Sequence, residues 1–215
     1  MKKIMFNDRY GLTQAVLEGR KTMTRRIVSI PDTWHGIDVC AIGSDTDKRS
    51  LLLYDADEFL IEDRNTGLCG QVMPLYKVGE AVAVAQAYRD IPHFNPDTYE
   101  DVMLDNGTIC EASHPYSHLM RSGGWDNKMF VRADLMPHRI EMTDHHVERM
   151  QSISEEDCLK EGIYEVPFCE FAWEDNGKTF KTAREAFAAL IDKISGKGTW
   201  ESNPWVFVYT FELVK

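Results

Sequence analysis

The run WVFVYTFELV at positions 205–214 constrains the fold more than any other segment, because its β-branched and aromatic residues alternate well enough to form one long terminal strand. A strand of that length must be completed by others. Tyr76-Lys77-Val78-Gly79-Glu80 followed by AVAVAQAY reads as a turn and then a strand, with Val82 and Val84 on one face and alanines on the other; it is expected to be central. MKKIMF supplies a short first strand. MFVRADLM and RIEMTDHHVERM read as two extended segments parted by Pro137, with Ile140 and Met142 pointing inward before the period blurs at His145 and His146.

Three helices lie between these strands. Asn7 and Asp8 offer N-caps to a first helix carrying Leu12, Ala15 and Val16, which Gly19 stops. Ser154, the acidic turn Glu155-Glu156-Asp157 and Gly162 bound a second short helix, with Glu161 in its last turn. Thr182 with Glu185 forms a capping box for a third, whose stripe of Phe187, Leu190, Ile191 and Ile194 runs to Gly196. Strands scattered among helices, with no regular βαβ alternation and no G-x-G-x-x-G fingerprint, point to an α+β or barrel-like fold, a small partly open barrel, rather than a doubly wound sheet.

A length of 215 residues, 43% of them hydrophobic, suits one elaborated domain. Two stretches read as insertions on its core. Positions 38–70 mix glycines and aspartates around a small hairpin at Leu51–Tyr54, and positions 90–127 are loop-like, rich in proline and glycine, and placed to act as a lid. No run of about 18 apolar residues occurs, and the start turns polar after six residues, too soon for a signal peptide, so a cytoplasmic protein without membrane partners is expected. The five cysteines are spread out with no C-x-x-C pair, which argues for reduced thiols over disulfides or a zinc ribbon.

The formal net charge of −11 repels a polyphosphate at long range, so any nucleic-acid contact needs a local basic patch, and a small nucleoside suits the chain better than duplex DNA. GRKTMTRR is that patch: Arg20, Lys21, Arg25 and Arg26 crowd together, interleaved with Thr22 and Thr24. A helix C-terminus also favours cations, each worth ~0.3–1 kcal/mol, so crowding alone does not separate a site from a surface. Neighbouring cations depress a lysine pKa, however, and a partly neutral Lys21 can take the proton of Thr24. In a flat strand these two residues would face opposite ways, so the reading requires the segment to bend.

With Gly19, Lys21, Thr22, Thr24 and Arg26 in a G-x-K-T-x-T-x-R pattern, the chain resembles the ASCH domain family. The resemblance continues through Val78-Gly79-Glu80, ISEEDCLKEGI and NPWVFVYTFEL, and is greatest to the larger ASCH proteins of phages and bacteria. It implies a PUA-like β-barrel whose cleft, lined by the signature segment, takes a single base or nucleoside. One small branch of the family hydrolyses N4-acetylcytidine with a lysine, a threonine and a glutamate, which implies Lys21, Thr24 and, through the helix ISEEDCLKEGI, Glu161 as the catalytic trio. In that reaction Lys21 deprotonates Thr24, Thr24 attacks the acyl carbonyl, Glu161 protonates the departing amine and water resolves the acyl-enzyme, with no metal or other cofactor required. Arg26 would hold the base carbonyl or the oxyanion. Arg25 stands where the small enzymes tend to carry an apolar residue, and would either widen phosphate contact or decorate the rim.

Other residues offer alternatives. Cys110, His114 and His118 have ligand-like spacing but read as solvated loop residues, and at most one of His145 and His146 can face a pocket. Trp200, Asn203 and Trp205 flank the last strand, where Trp205 either packs or stacks on a base. Two functions therefore stand: an amidohydrolase of N4-acylated cytidine-like substrates, or a non-catalytic module that binds a modified base or single-stranded RNA through Arg20, Arg25 and Arg26.

Overall fold

The computed structural model describes residues 1–57, 60–62, 69–94, 102–103, 109–110, 117–168, 170–173 and 178–214, with backbone alone at 102–103 and 109–110. Its centre is a five-stranded mixed sheet built from β1 (Lys3–Ile4), β2 (Met23–Ile27), β3 (Ala81–Val84), β4 (Arg139–Arg149) and β5 (Trp205–Val214), in the order β1-β3-β4-β5-β2. β1 runs parallel to β3 and the other neighbours are antiparallel. The fold is therefore α+β, and among the described residues the sheet stays open, with β1 and β2 as its edges. No described helix is long and apolar enough to cross a membrane.

β5 is the long strand its composition demands, but it is not half-buried: Val206, Phe207, Val208, Tyr209 and Phe211 are all buried, so both faces are covered along most of it. β4 pairs with β5 along its whole length and carries a bulge between Met142 and Asp144. The extra residue shifts the inward face by one position, which is why the hydrophobic period is lost before His145.

β3 separates two apolar clusters. Val82 and Val84 belong to the main core with Phe187, Leu190 and Val208. Ala83 and Ala85 face a second cluster of Tyr88, Ile91, Phe94, Leu119, Val131 and Met136. Small residues on that face admit the bulky ones, and the approach is close at Gly124, where a Cβ would lie 2.5 Å from Tyr88 Cε2. Ile91, Phe94, Leu119 and Trp125 of the 90–127 stretch are thus packed against the sheet, and none of its described residues lines the cleft described below. Within 38–70 the expected hairpin forms between Ala41–Ser44 and Leu51–Tyr54, anchored by the buried Leu51 and Leu53.

The helices are α1 (Leu12–Leu17), α2 (Glu155–Lys160), α3 (Ala183–Ser195) and one further turn, α4 (Thr199–Ser202). Ser154 Oγ accepts from the Asp157 amide at 3.0 Å and Thr182 Oγ1 from the Glu185 amide at 3.0 Å, as their sequences predict. The start of α1 differs from expectation: Asp8–Tyr10 form a 3-10 turn and Gly11, at φ +65°, takes the cap position. MFVRADLM also departs from its extended reading, forming short 3-10 turns at Lys128–Phe130 and Ala133–Leu135. There Asn127 Oδ1 accepts from the Met129 amide and Tyr88 Oη from the Arg132 amide, so side chains take the groups a strand ladder would have used.

Candidate functional site

The segment GRKTMTRR bends before it becomes a strand. After α1 the chain turns at Gly19; the Lys21 amide then donates to the Ala15 carbonyl and the Thr22 amide to the Lys160 carbonyl, both at 2.9 Å. β2 begins only at Met23, so Lys21 lies off the strand between the ends of α1 and α2 while Thr24 sits on it opposite Tyr209. Glu161 caps α2. The next residue, Gly162, has φ +103°, and a Cβ there would crowd Leu12 Cδ2 at 3.3 Å, so glycine allows the turn that brings Glu161 against Lys21.

Lys21 and Glu161, 3% and 4% exposed, form a buried ion pair. Lys21 Nζ donates to Glu161 Oε2 at 2.5 Å and to the Glu161 carbonyl at 2.7 Å. Arg25 holds the other carboxylate oxygen, donating from Nη1 to Glu161 Oε1 at 3.1 Å. Its remaining donors reach Glu148 Oε1 from Nε at 2.9 Å and from Nη2 at 2.8 Å, and Asp157 lies 3.6 Å away. With its side chain 1% exposed, Arg25 is neither a rim residue nor a free phosphate ligand: it fixes Glu161 from behind.

Burial pushes the Lys21 amine below the usual lysine value; Glu161 opposes this, and Arg26 and Arg25 add to it. Desolvation, more than the neighbouring cations the sequence suggested, is the main cause. Glu148 behaves oppositely: burial raises its carboxyl, but His146, 3.7 Å away, and Arg25 outweigh that and hold it low. No hydrogen bond joins Thr24 Oγ1 to Lys21 among the described residues, although both line one cavity.

That cavity has a volume of about 550 Å³, within the ~300–1,000 Å³ typical of small-molecule sites. Lys21, Thr24, Arg26 and Glu161 contribute to its polar wall, together with Arg9, Arg25, Lys128 and Asp8; Phe6, Leu12, Phe187, Leu190 and Ile191 provide apolar surface. Thr24 and Arg26, two apart on β2, share a strand face. The half-buried Arg26 lies over the Phe6 ring at 5.6 Å and donates to the Met5 carbonyl at 2.6 Å. The carboxylates in the lining, Asp8 and Glu161, are both engaged by cations, which leaves a poor donor set for a metal.

Of the residues the sequence singled out, Lys21, Thr24, Arg25, Arg26 and Glu161 are brought together, while Arg20 and Trp205 are not. Arg20 pairs with Glu18 at 2.6 Å and lies over the Tyr164 ring. Trp205 lies beneath Arg149, whose guanidinium is 4.4 Å from its ring centroid, and is partly buried against the main core. Neither His145 nor His146 lines the cavity. The Cys110–His114–His118 spacing falls partly outside the described residues, at the Cys110 side chain and His114. Sequence reasoning missed Phe6, Arg9 and the cleft-facing role of the α3 stripe; that stripe was visible, but as core alone. Compared with protein-family models, curated proteins and solved structures, the chain matches none.

Proposed function

We propose that this cleft is the active site of an amidohydrolase that removes an acyl group from the exocyclic amine of a cytidine-like substrate, on a PUA-like, ASCH-type scaffold. The observation that carries the reading is the convergence of Lys21 and Glu161, 140 residues apart, in a buried pair that shares one cavity with the Thr24 hydroxyl. Burial favours the neutral amine on Lys21 and so favours a base.

In the proposed reaction the proton shared by the pair moves to Glu161, leaving Lys21 as an amine. Lys21 takes the Thr24 hydroxyl proton as Oγ1 forms a bond to the acyl carbon, and negative charge develops on the acyl oxygen. Collapse breaks the carbon–nitrogen bond, Glu161 gives its proton to the leaving amine, and a threonyl ester remains. Water then adds to the ester, releasing the carboxylic acid and restoring Thr24. A substrate must bring Thr24 and Lys21 into contact, since they share no hydrogen bond among the described residues.

That missing hydrogen bond is also what favours the second reading, a non-catalytic module for a modified base or RNA end. Hydrolysis of N4-acetylcytidine, followed by chromatography with Lys21→Ala and Thr24→Ala beside the wild type, separates the two. Turnover that falls at least ~100-fold in both variants supports the hydrolase; turnover in none of the three overturns it.

A further inference from the structure

The charges around the cleft do not cancel. Arg9, Lys21, Arg25, Arg26 and Lys128 line it against only Asp8 and Glu161, in a protein of formal net charge −11. Three of the cations are matched: Lys21 by Glu161, Arg25 by Glu148 and Glu161, and Lys128 by Asp8 at 2.7 Å. Arg26 and Arg9 have no carboxylate partner among the described residues. The one described hydrogen bond from the Arg26 side chain goes to a main-chain carbonyl, and Arg9 lies exposed over the Tyr10 ring. A half-buried guanidinium with no carboxylate at ion-pair distance carries a desolvation cost that Glu161 offsets only from further away, and its planar fork matches phosphate and carboxylate alike, of which a nucleoside-type ligand carries the phosphate.

We infer that the cleft's ligand carries a phosphomonoester received by Arg26 and Arg9, making the substrate an acylated mononucleotide rather than a free nucleoside. This rests on the nucleoside reading for the base end alone; the phosphate end rests on the unmatched arginines. A single nucleotide suits a cavity of about 550 Å³, and the negative charge of the whole chain disfavours a long polyphosphate strand.

Calorimetric titration with cytidine, cytidine 5′-monophosphate, ribose 5-phosphate and a short oligocytidylate tests it at one fixed salt concentration. The expected result is monophosphate binding about tenfold to 100-fold tighter than cytidine, with oligocytidylate weaker than the monophosphate. That preference should collapse toward unity in Arg26→Gln and shrink in Arg9→Gln, whose exposed site does not endanger folding. Equal affinity for cytidine and its monophosphate, or an undiminished preference in both variants, overturns the inference while leaving the nucleoside reading intact. Ribose 5-phosphate binding as tightly as the monophosphate, with cytidine inert, upholds the phosphate site and removes the base. Tighter binding of oligocytidylate overturns the mononucleotide assignment in favour of RNA, and no binding by any of the four overturns the inference and the nucleoside reading together.

Discussion

Lys21 holds Glu161 twice, through its carboxylate at 2.5 Å and its main-chain carbonyl at 2.7 Å, and so ties the end of α2 to the GRKTMTRR segment. The contact is both structural and chemical. It closes the floor of the cleft, and it sets an amine and a carboxylate within one proton transfer of each other.

Breaking that pair leaves a buried charge without its partner. Glu161→Leu alone is expected to cost ~3–5 kcal/mol in urea unfolding, because Lys21 and Arg25 both lose an anion. The double variant Lys21→Met/Glu161→Leu should lose less than the sum of the two single changes by more than ~1 kcal/mol. Additive losses would show that the two side chains are not coupled.

Acid removes the stabilisation supplied by the carboxylates behind Arg25. Burial raises the Glu148 carboxyl, but His146 and Arg25 together hold it below its ordinary 4.5. The unfolded chain therefore takes up a proton before the folded one does. The stabilisation is complete above 4.5 and is lost as pH falls through the depressed folded value. Asp157, raised by burial but lowered more by Lys160 and Arg25, follows the same sign from 3.8. The gap in melting temperature between wild type and Glu148→Gln should be widest at neutral pH and close in acid; a gap that persists there would contradict this assignment.

How much of this was legible in the sequence depended on range. Ser154 and Thr182 signal helix starts through contacts three residues away, and both caps form. The Val82/Ala83 alternation marked an interior strand, because both of its faces are buried against different clusters, but the middle of the sheet is β4 and β3 lies one place in from the edge. The Arg25–Glu148 and Lys21–Glu161 pairs span 123 and 140 residues, and no local pattern announces them. Arg25 in particular looked like a ligand-binding cation because its sequence neighbours are cations, whereas its spatial neighbours are carboxylates. The extended reading of 129–136 failed where Tyr88 and Asn127 captured the backbone amides.

Gly124 should tolerate no side chain. A Cβ 2.5 Å from Tyr88 Cε2 and 3.2 Å from the Phe130 carbonyl forces the second cluster apart, so Gly124→Ala is expected to cost ~1–3 kcal/mol by denaturant unfolding. Wild-type stability in that variant would mean that Tyr88 and Gly124 do not pack this closely.

Cys158 is fully buried and its thiol is pushed up to about 12, chiefly by desolvation, whereas Cys40 and Cys69 are exposed. Alkylation of the native protein followed by peptide mapping should label Cys40 and Cys69 rapidly and Cys158 only after unfolding. Rapid native labelling of Cys158 would place α2, and with it Glu161, in a more open setting.

The most direct test of the proposed chemistry is to mix the protein with excess N4-acetylcytidine, quench in acid within the first turnovers, and map acetyl groups by mass spectrometry. The account predicts an acetyl ester on the peptide at Thr24, absent from Thr24→Ala, which should also release no cytidine. Cytidine release by Thr24→Ala at the wild-type rate would contradict it.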